Sequence, residues 1–220
     1  MVRAHEHDRG ALRNLAQHTY FDRSFSCDAV KILPGEYYFT DKNMMLTTLL
    51  GSCVAACIHD RVSGIGGMNH FLLPEVGQDV ESPVSESMRY GSFAMEVLIN
   101  DLLKSGARRA NLVAKVFGGG NVLPGMTTLN VGSKNARFVL NYLKTDNIPV
   151  LSEDLEDKYP RRVCFFPASG KVMVKKLKEN IEFGFIKQEL AYQAELKRAP
   201  VNGEIDLFDP AFNANQRTLP

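Results

Sequence analysis

The sequence predicts an α+β domain with an antiparallel or mixed sheet and helices on one outer face. Strand-like stretches outnumber helical ones between residues 27 and 178, and the two kinds do not strictly alternate. Strict alternation would instead indicate a parallel sheet with crossover helices. The 220 residues are 45% apolar and 23% charged, the composition of an ordinary globular domain.

The first half of this domain is predicted to be a series of strands. Apolar and aromatic stretches separated by turn residues run over residues 29–33, 36–40, 44–50, 53–60 and 66–73. The last two should form a hairpin. A two-residue loop at Val62 and Ser63 would place His70 opposite Ala55, whereas a bulge at Gly66-Gly67 would shift that register by one residue.

The second half contains the helical signals. Apolar spacing predicts a helix over residues 90–105 that Gly106 ends, and Ser133 is the expected N-cap of a second helix. Residues 111–117 are predicted to form a strand, 148–151 an edge strand that contains Pro149, and 161–166 with 171–177 a hairpin.

Three parts of the chain are expected. Residues 1–26 are predicted to be a mobile N-terminal extension, and residues 27–178 the catalytic domain. Residues 179–220 should hold a helix over 185–197, a short strand over 202–208 and a tail.

Charge and cysteine usage argue against several classes of function. The formal net charge of +1 gives no support for bulk electrostatic binding to nucleic acid or to an anionic membrane. No apolar run approaches the ~20 residues that span a bilayer, and the polar first 22 residues do not resemble a secretory signal. A cytoplasmic protein is therefore expected. The spacing of Cys53 and Cys57 lacks the second ligand pair of a structural zinc site, so no metal is predicted.

A thiol and a histidine form the candidate catalytic pair. Cys53 follows the Gly51-Ser52 turn, whose backbone amides could donate hydrogen bonds to an oxyanion. His59 would lie ~20 Å away along the same strand. His70, on the return strand, would be diagonal to Cys53 on one face, and diagonal neighbours are ~7–8 Å apart at the backbone. A cysteine and a histidine brought together in this way can serve as nucleophile and base.

The group that would orient the histidine stays open on these grounds. Asn69 should point to the opposite face of the strand from His70. Thr47 lies before the Gly51 bend, which could bring it alongside the histidine, and Asp60 lies toward the far end of the hairpin. The alternative is that the pair has no catalytic role, in which case Cys53 is a buried core cysteine and His70 a core histidine whose ring nitrogens are hydrogen-bonded.

Five ordered blocks resemble the CheD family of bacterial chemoreceptor glutamine deamidases. They are residues 50–54 (LGSCV), 66–74 (GGMNHFLLP), 89–91 (RYG), 115–121 (KVFGGGN) and 131–135 (VGSKN). Any single block would be weak, but five in order are specific. The resemblance covers about residues 30–178, and Gly120 stands where many members have alanine.

This resemblance implies a function and a fold. The function is hydrolysis of selected glutamine side chains to glutamate on methyl-accepting chemotaxis receptors, without a cofactor. It implies Cys53 as nucleophile, His70 as base and acid, and Thr47 as the orienting residue. The fold would be layered sheets with helices on an outer face, similar to other cysteine deamidases. Some members also hydrolyse receptor methyl esters, and some bind the phosphatase CheC.

Two other classes of function compete with this one. A cysteine peptidase or small-molecule amidase would use the same triad, and a non-catalytic chemotaxis partner would carry a structural cysteine. A glutamine on a long receptor helix also predicts an open, shallow cleft rather than a deep pocket.

Overall fold

The fold consists of two mixed β-sheets and two main helices. A computed structural model describes residues 14–73, 83–122, 131–177 and 191–196. The first sheet has the spatial order β1 (Asn14–Leu15), β4 (Glu36–Thr40), β7 (Gly66–Asn69), β6 (Val54–Asp60), β8 (Leu112–Gly118) and β9 (Val150–Leu155). The second sheet has the order β11 (Lys171–Lys176), β10 (Arg161–Phe166), β5 (Met45–Leu50), β3 (Cys27–Lys31) and β2 (His18–Asp22). The helices are α1 (Pro83–Lys104) and α2 (Val131–Thr145).

The elements stack in three layers, and the predicted α+β class with helices on one outer face is confirmed. Buried residues of α1 and α2, such as Leu98 and Val139, pack with Val116 of β8 on the outer face of the first sheet. A second apolar cluster, including Leu46 of β5 and Met68 of β7, fills the space between the sheets. Both faces of the first sheet are therefore covered. Because of this, β6 can be buried at every position and reads as a nearly continuous apolar run.

The hairpin of β6 and β7 has the predicted register. Cys57 lies opposite Met68, and an isolated bridge joins Val54 to Phe71. The backbone N–H of Asp60 donates to Ile65 O at 2.8 Å, and the N–H of Gly64 donates to Asp60 O at 3.0 Å. The loop therefore spans residues 61–64, and the predicted two-residue loop at Val62 and Ser63 is wrong, although the longer loop leaves the register unchanged. The pairs on both sides of Gly66-Gly67 agree with one register, so no slip occurs there.

The other predicted elements of the domain are present, but α1 begins at Pro83, seven residues before its predicted start, and β9 ends at Leu155, four residues after its predicted end. Helix α1 ends before Gly106, whose φ of +104° allows the chain to turn out of the helix. Helix α2 begins at Val131, two residues before the expected cap. Strand β9 is an edge strand parallel to β8, and β10 and β11 form the predicted hairpin.

The predicted N-terminal extension is wrong for its second half. Strand β2 pairs antiparallel with β3 along its full length, and β1 pairs parallel with β4. Residues 14–22 thus supply strands to both sheets. Residues 1–13 and the predicted strand at 202–208 lie outside the described residues. Of the predicted helix at 185–197, residues 191–196 are described and are helical.

Candidate active site

Cys53 lies where the chain crosses from one sheet to the other. Strand β5 ends at Leu50 in the second sheet, and β6 begins at Val54 in the first. Three successive carbonyls of the turn between them accept hydrogen bonds. Gly51 O accepts from the N–H of Gly120 at 2.7 Å, and Cys53 O accepts from the N–H of Gly119 at 2.8 Å. Ser52 O accepts from the side-chain amide of Asn135 at 2.8 Å.

These bonds fix the direction of the turn amides. In a planar trans peptide, the N–H points away from the carbonyl of the preceding residue. The held carbonyls of Gly51 and Ser52 therefore set the directions of the Ser52 and Cys53 N–H groups, the amides predicted to serve an oxyanion. Glycine is required at Gly118, which has a φ of +108° and where a Cβ would overlap Cys53 O. The sequence thus allows one strand end to lie directly against the cysteine turn.

His70 shares a face of the hairpin with Cys53. The observed register places Cys53 opposite Leu72, two residues from His70 along the return strand. The backbone of His70 is held by its N–H to Glu36 O at 2.9 Å and by the N–H of Gly35 to its carbonyl at 2.8 Å. The predicted diagonal arrangement is therefore present, on the face that looks toward the second sheet.

Thr48 orients the imidazole of His70 and selects its tautomer. Its Oγ1 lies 2.7 Å from His70 Nδ1 and 2.7 Å from Ile32 O. A carbonyl only accepts, so the single hydroxyl proton of Thr48 goes to Ile32 O. The hydroxyl oxygen must then accept from Nδ1–H of the histidine. In the neutral imidazole this leaves the lone pair on Nε2, the atom that a general base uses in a triad of this kind.

Thr47, the threonine predicted to orient the histidine, points the other way. Its Oγ1 donates to Val163 O at 2.9 Å and lies 3.5 Å from Cys164 Sγ, on the outer face of the second sheet. Successive residues of a strand alternate between faces, so only one of the two threonines in β5 can face His70. That threonine is Thr48.

The other candidate partners of the histidine lie elsewhere, as their positions in the hairpin suggested. The side chain of Asn69 accepts from the N–H of Ala56 at 2.9 Å and donates to Ala94 O of α1 at 3.1 Å. Asp60 accepts from the N–H groups of Val62 and Arg108, each at 2.7 Å, at the far end of β6.

Cys57 and His59, which follow Cys53 along β6, have structural surroundings. Burial raises the pKa of the Cys57 thiol, which disfavours its thiolate. His59 packs edge-on against Phe165, with ring centroids 6.3 Å apart. Within the described residues, no group of three or more His, Cys, Asp or Glu side chains could hold a metal ion. Over the same residues, no helix is long and apolar enough to cross a membrane.

Two further side chains at the site were not singled out by the sequence patterns. Asn135 is fully buried and bridges the turn to the chain that follows β7, because its Oδ1 accepts from the N–H of Leu73 at 2.9 Å. Tyr90 lines a small cavity together with His70. Burial raises the pKa of Tyr90 to about 12, and the negative charge of an ionised Cys53 adds to the shift. Both residues stand in blocks that carry the family resemblance, which was the available signal.

Comparison with known proteins places the chain in a family. The model of the CheD family, described as CheD chemotactic sensory transduction, matches residues 72–176. The "Probable chemoreceptor glutamine deamidase CheD" of Thiobacillus denitrificans is 62% identical over 88% of this chain and 96% of its own length. The protein of the same name from Methylobacillus flagellatus is 60% identical over the same shares. A solved structure, the Bacillus licheniformis hypothetical protein YfiH, covers 66% of this chain and 62% of its own at 14% identity. Its TM-score of 0.35 is too low to support a conclusion. On the identity and coverage of its relatives, the chain belongs to the CheD family.

Proposed function

We propose that this protein hydrolyses specific glutamine side chains to glutamate on the cytoplasmic domains of methyl-accepting chemotaxis receptors. The names of its relatives support the reaction and the substrate class. The observation that carries the proposal is the hydrogen bond from His70 Nδ1–H to Thr48, which leaves Nε2 to act as a base on the face that Cys53 shares.

The proposed triad is Cys53, His70 and Thr48, with Thr48 in the role first expected for Thr47. His70 accepts the thiol proton, and the Cys53 thiolate attacks the carboxamide carbon of the substrate. The developing oxyanion lies near the turn amides of Ser52 and Cys53, whose direction the held carbonyls set. Such preorganised donors stabilise negative charge without reorganising during the reaction.

The tetrahedral intermediate then breaks its C–N bond. His70 gives its proton to the departing amine, so ammonia leaves and a thioester to Cys53 remains. Water loses a proton to His70 as it attacks the thioester carbon, and glutamate and the free thiol are released. A glutamate methyl ester would form the same thioester with methanol as the leaving group, so we extend the proposal to receptor methyl esters. Binding of CheC stays a prediction.

Mass spectrometry of a receptor cytoplasmic fragment tests the proposal. Wild-type protein should convert one or more glutamines to glutamate, with a mass increase of about 1 Da each, and Cys53→Ala should convert none. Cys57→Ala is the matched control, because Cys57 lies on the same strand face four residues away and its buried thiol is disfavoured as a thiolate. It should retain activity.

The same experiment separates the alternatives. Peptide-bond cleavage would indicate a cysteine peptidase instead. If several receptor fragments stayed unchanged while the protein still bound them, a non-catalytic partner would be the better description. Equal deamidation by wild type and a folded Cys53→Ala variant would exclude the proposed nucleophile.

A further inference from the structure

The candidate active site is closed in this structure. Cys53 is 0% exposed and His70 is 1% exposed. The cavity beside His70 and Tyr90 has about 10 Å³ of room, which is about the space of one water molecule. A substrate carboxamide is larger than that and must reach the sulfur atom. Among the residues that the structure describes, no open cleft of the kind expected for a receptor helix therefore exposes Cys53 or His70.

A C-terminal helical segment, residues 191–196, packs against the core at this place. Its two inward side chains, Tyr192 and Leu196, each contact both the cluster between the sheets and the cluster under the helices. The first of those clusters contains Cys53, and the second contains Tyr90. A side chain that reaches both clusters must lie at the margin of the first sheet, where its two faces meet.

Tyr192 is the residue that enters the site. Its hydroxyl shares a hydrogen bond with the hydroxyl of Tyr90. Its ring lies directly on Gly35, where a Cβ would come within 2.5 Å of the phenol oxygen. The N–H of Gly35 donates to the carbonyl of His70 at 2.8 Å. Tyr192 is therefore placed between Tyr90 and the backbone that holds the catalytic histidine.

The contact of the helical segment with the core is narrow. Ala191, Ala194 and Glu195 are exposed, so the segment is anchored by two side chains four residues apart on one helical face. Burial raises the pKa of Tyr192, and the negative charge of an ionised Cys53 adds to that shift. Tyr192 also packs against the same apolar cluster that contains Cys53.

We propose that residues 191–196 occupy, in cis, the docking site through which a substrate helix reaches Cys53 and His70. The chain then rests in a self-blocked form, and a substrate or partner helix must displace Tyr192 before the thiol can react. The competing segment would present bulky apolar side chains at positions i and i+4, as Tyr192 and Leu196 do. The consequence for deamidation rests on the proposed function, but the blocking of the thiol does not.

Two rates measured on the full-length protein test this proposal. The first is iodoacetamide labelling of Cys53, followed by peptide mass spectrometry with the half-buried Cys27 as an internal reference. The second is deamidation of a receptor fragment. Tyr192→Ala should accelerate Cys53 labelling at least about tenfold, because truncating a packed aromatic anchor commonly shifts such an equilibrium by a decade or more. Labelling of Cys27 should not change, and deamidation should rise with Cys53 labelling.

Ala194→Ser is the matched control, since Ala194 is exposed in the same segment, and it should behave as wild type. Leu196→Ala should also accelerate Cys53 labelling, and it replaces Tyr192→Ala if that variant fails to fold by circular dichroism. Unchanged Cys53 labelling in a folded variant of either residue would overturn the proposal. Faster labelling without deamidation by any variant would instead reject the proposed function and leave the self-blocked form standing. Deamidation by wild type at the same rate as by Tyr192→Ala would reject the self-blocked form alone.

Discussion

The two adjacent threonines of β5 provide a direct test of the catalytic geometry. Thr48→Val keeps the shape of the side chain but removes the oxygen that accepts from His70 Nδ1–H. Thr47→Val makes the same chemical change one residue away, where the hydroxyl bonds Val163 O on the opposite face. Both threonines are buried, so each substitution should lower the free energy of unfolding by a similar amount, about 1 kcal/mol per lost hydrogen bond.

Their effects on catalysis should differ sharply. When His70 becomes positively charged, its hydrogen bond to Thr48 is one to a charged group, and such bonds contribute about 1.5–3 kcal/mol. Because 1.36 kcal/mol corresponds to a tenfold change in rate, Thr48→Val should lower kcat/KM for deamidation by about 10- to 150-fold. Without the acceptor at Nδ1, the neutral ring is also free to place its proton on Nε2, which removes the base. Thr47→Val should change kcat/KM by less than about twofold.

The assay is the initial rate of receptor-fragment deamidation over a range of pH, with urea denaturation to confirm that each variant is folded. Thr48→Ser retains the hydroxyl and should restore most of the activity, which a purely structural role would not require. A folded Thr48→Val variant with wild-type kcat/KM, or a larger loss of kcat/KM in Thr47→Val, would exclude the orienting role of Thr48.

Two further predictions concern stability. Gly118→Ala should lower the free energy of unfolding, measured by urea denaturation, more than Gly106→Ala does. Both glycines have a similar positive φ, but only at Gly118 would a Cβ overlap Cys53 O. Equal losses of free energy in the two variants would contradict the close approach of Gly118 to Cys53. Burial raises the pKa of Asp60, but hydrogen bonds from the backbone N–H groups of Arg108, Ser63 and Val62 lower it further than burial raises it. The pKa of Asp60 is therefore about 2, below its ordinary 3.8. Its contribution to stability is therefore complete above pH 3.8 and is lost as the pH falls to about 2. Urea denaturation at several pH values should accordingly show a weaker acid dependence for Asp60→Asn than for wild type, and parallel curves would exclude this contribution.

The sequence could predict the position of His70 because the hairpin is local. A short loop determines which residues of β6 and β7 face each other, and a symmetric four-residue loop gives the same register as the predicted two-residue one. The alternation of side chains then determines the shared face. The observed pairs Cys57 with Met68 and Val54 with Phe71 follow from those two rules alone. The strand-rich α+β class could also be predicted, because it depends on counts of short apolar stretches.

The choice between Thr47 and Thr48 could not be made in the same way. It depends on which face of β5 looks toward the first sheet, and β5 belongs to the other sheet. The Gly51-Ser52-Cys53 turn that joins the sheets follows no regular alternation, so the pattern of one strand does not carry over to the next. The strand at His18–Asp22 was missed for a related reason. It is an edge strand that pairs, within the described part of the chain, only with β3, and most of its residues are exposed. Its sequence therefore lacks the buried apolar pattern that would distinguish it from a loop.

Four of the five blocks of the family resemblance, far apart in sequence, converge on one short turn. Gly119 and Gly120 hold the carbonyls of Cys53 and Gly51, and Asn135 ties Ser52 to the backbone of Leu73 beyond His70. Nearly all of these contacts act on backbone groups, so they specify the direction of peptide planes rather than the chemistry of side chains. An oxyanion site built from turn amides needs that kind of support, because an amide that rotates loses its hydrogen bond to the developing charge. The glycines and the buried asparagine are therefore better understood as positioning residues for the Gly51-Ser52-Cys53 turn than as separate functional groups.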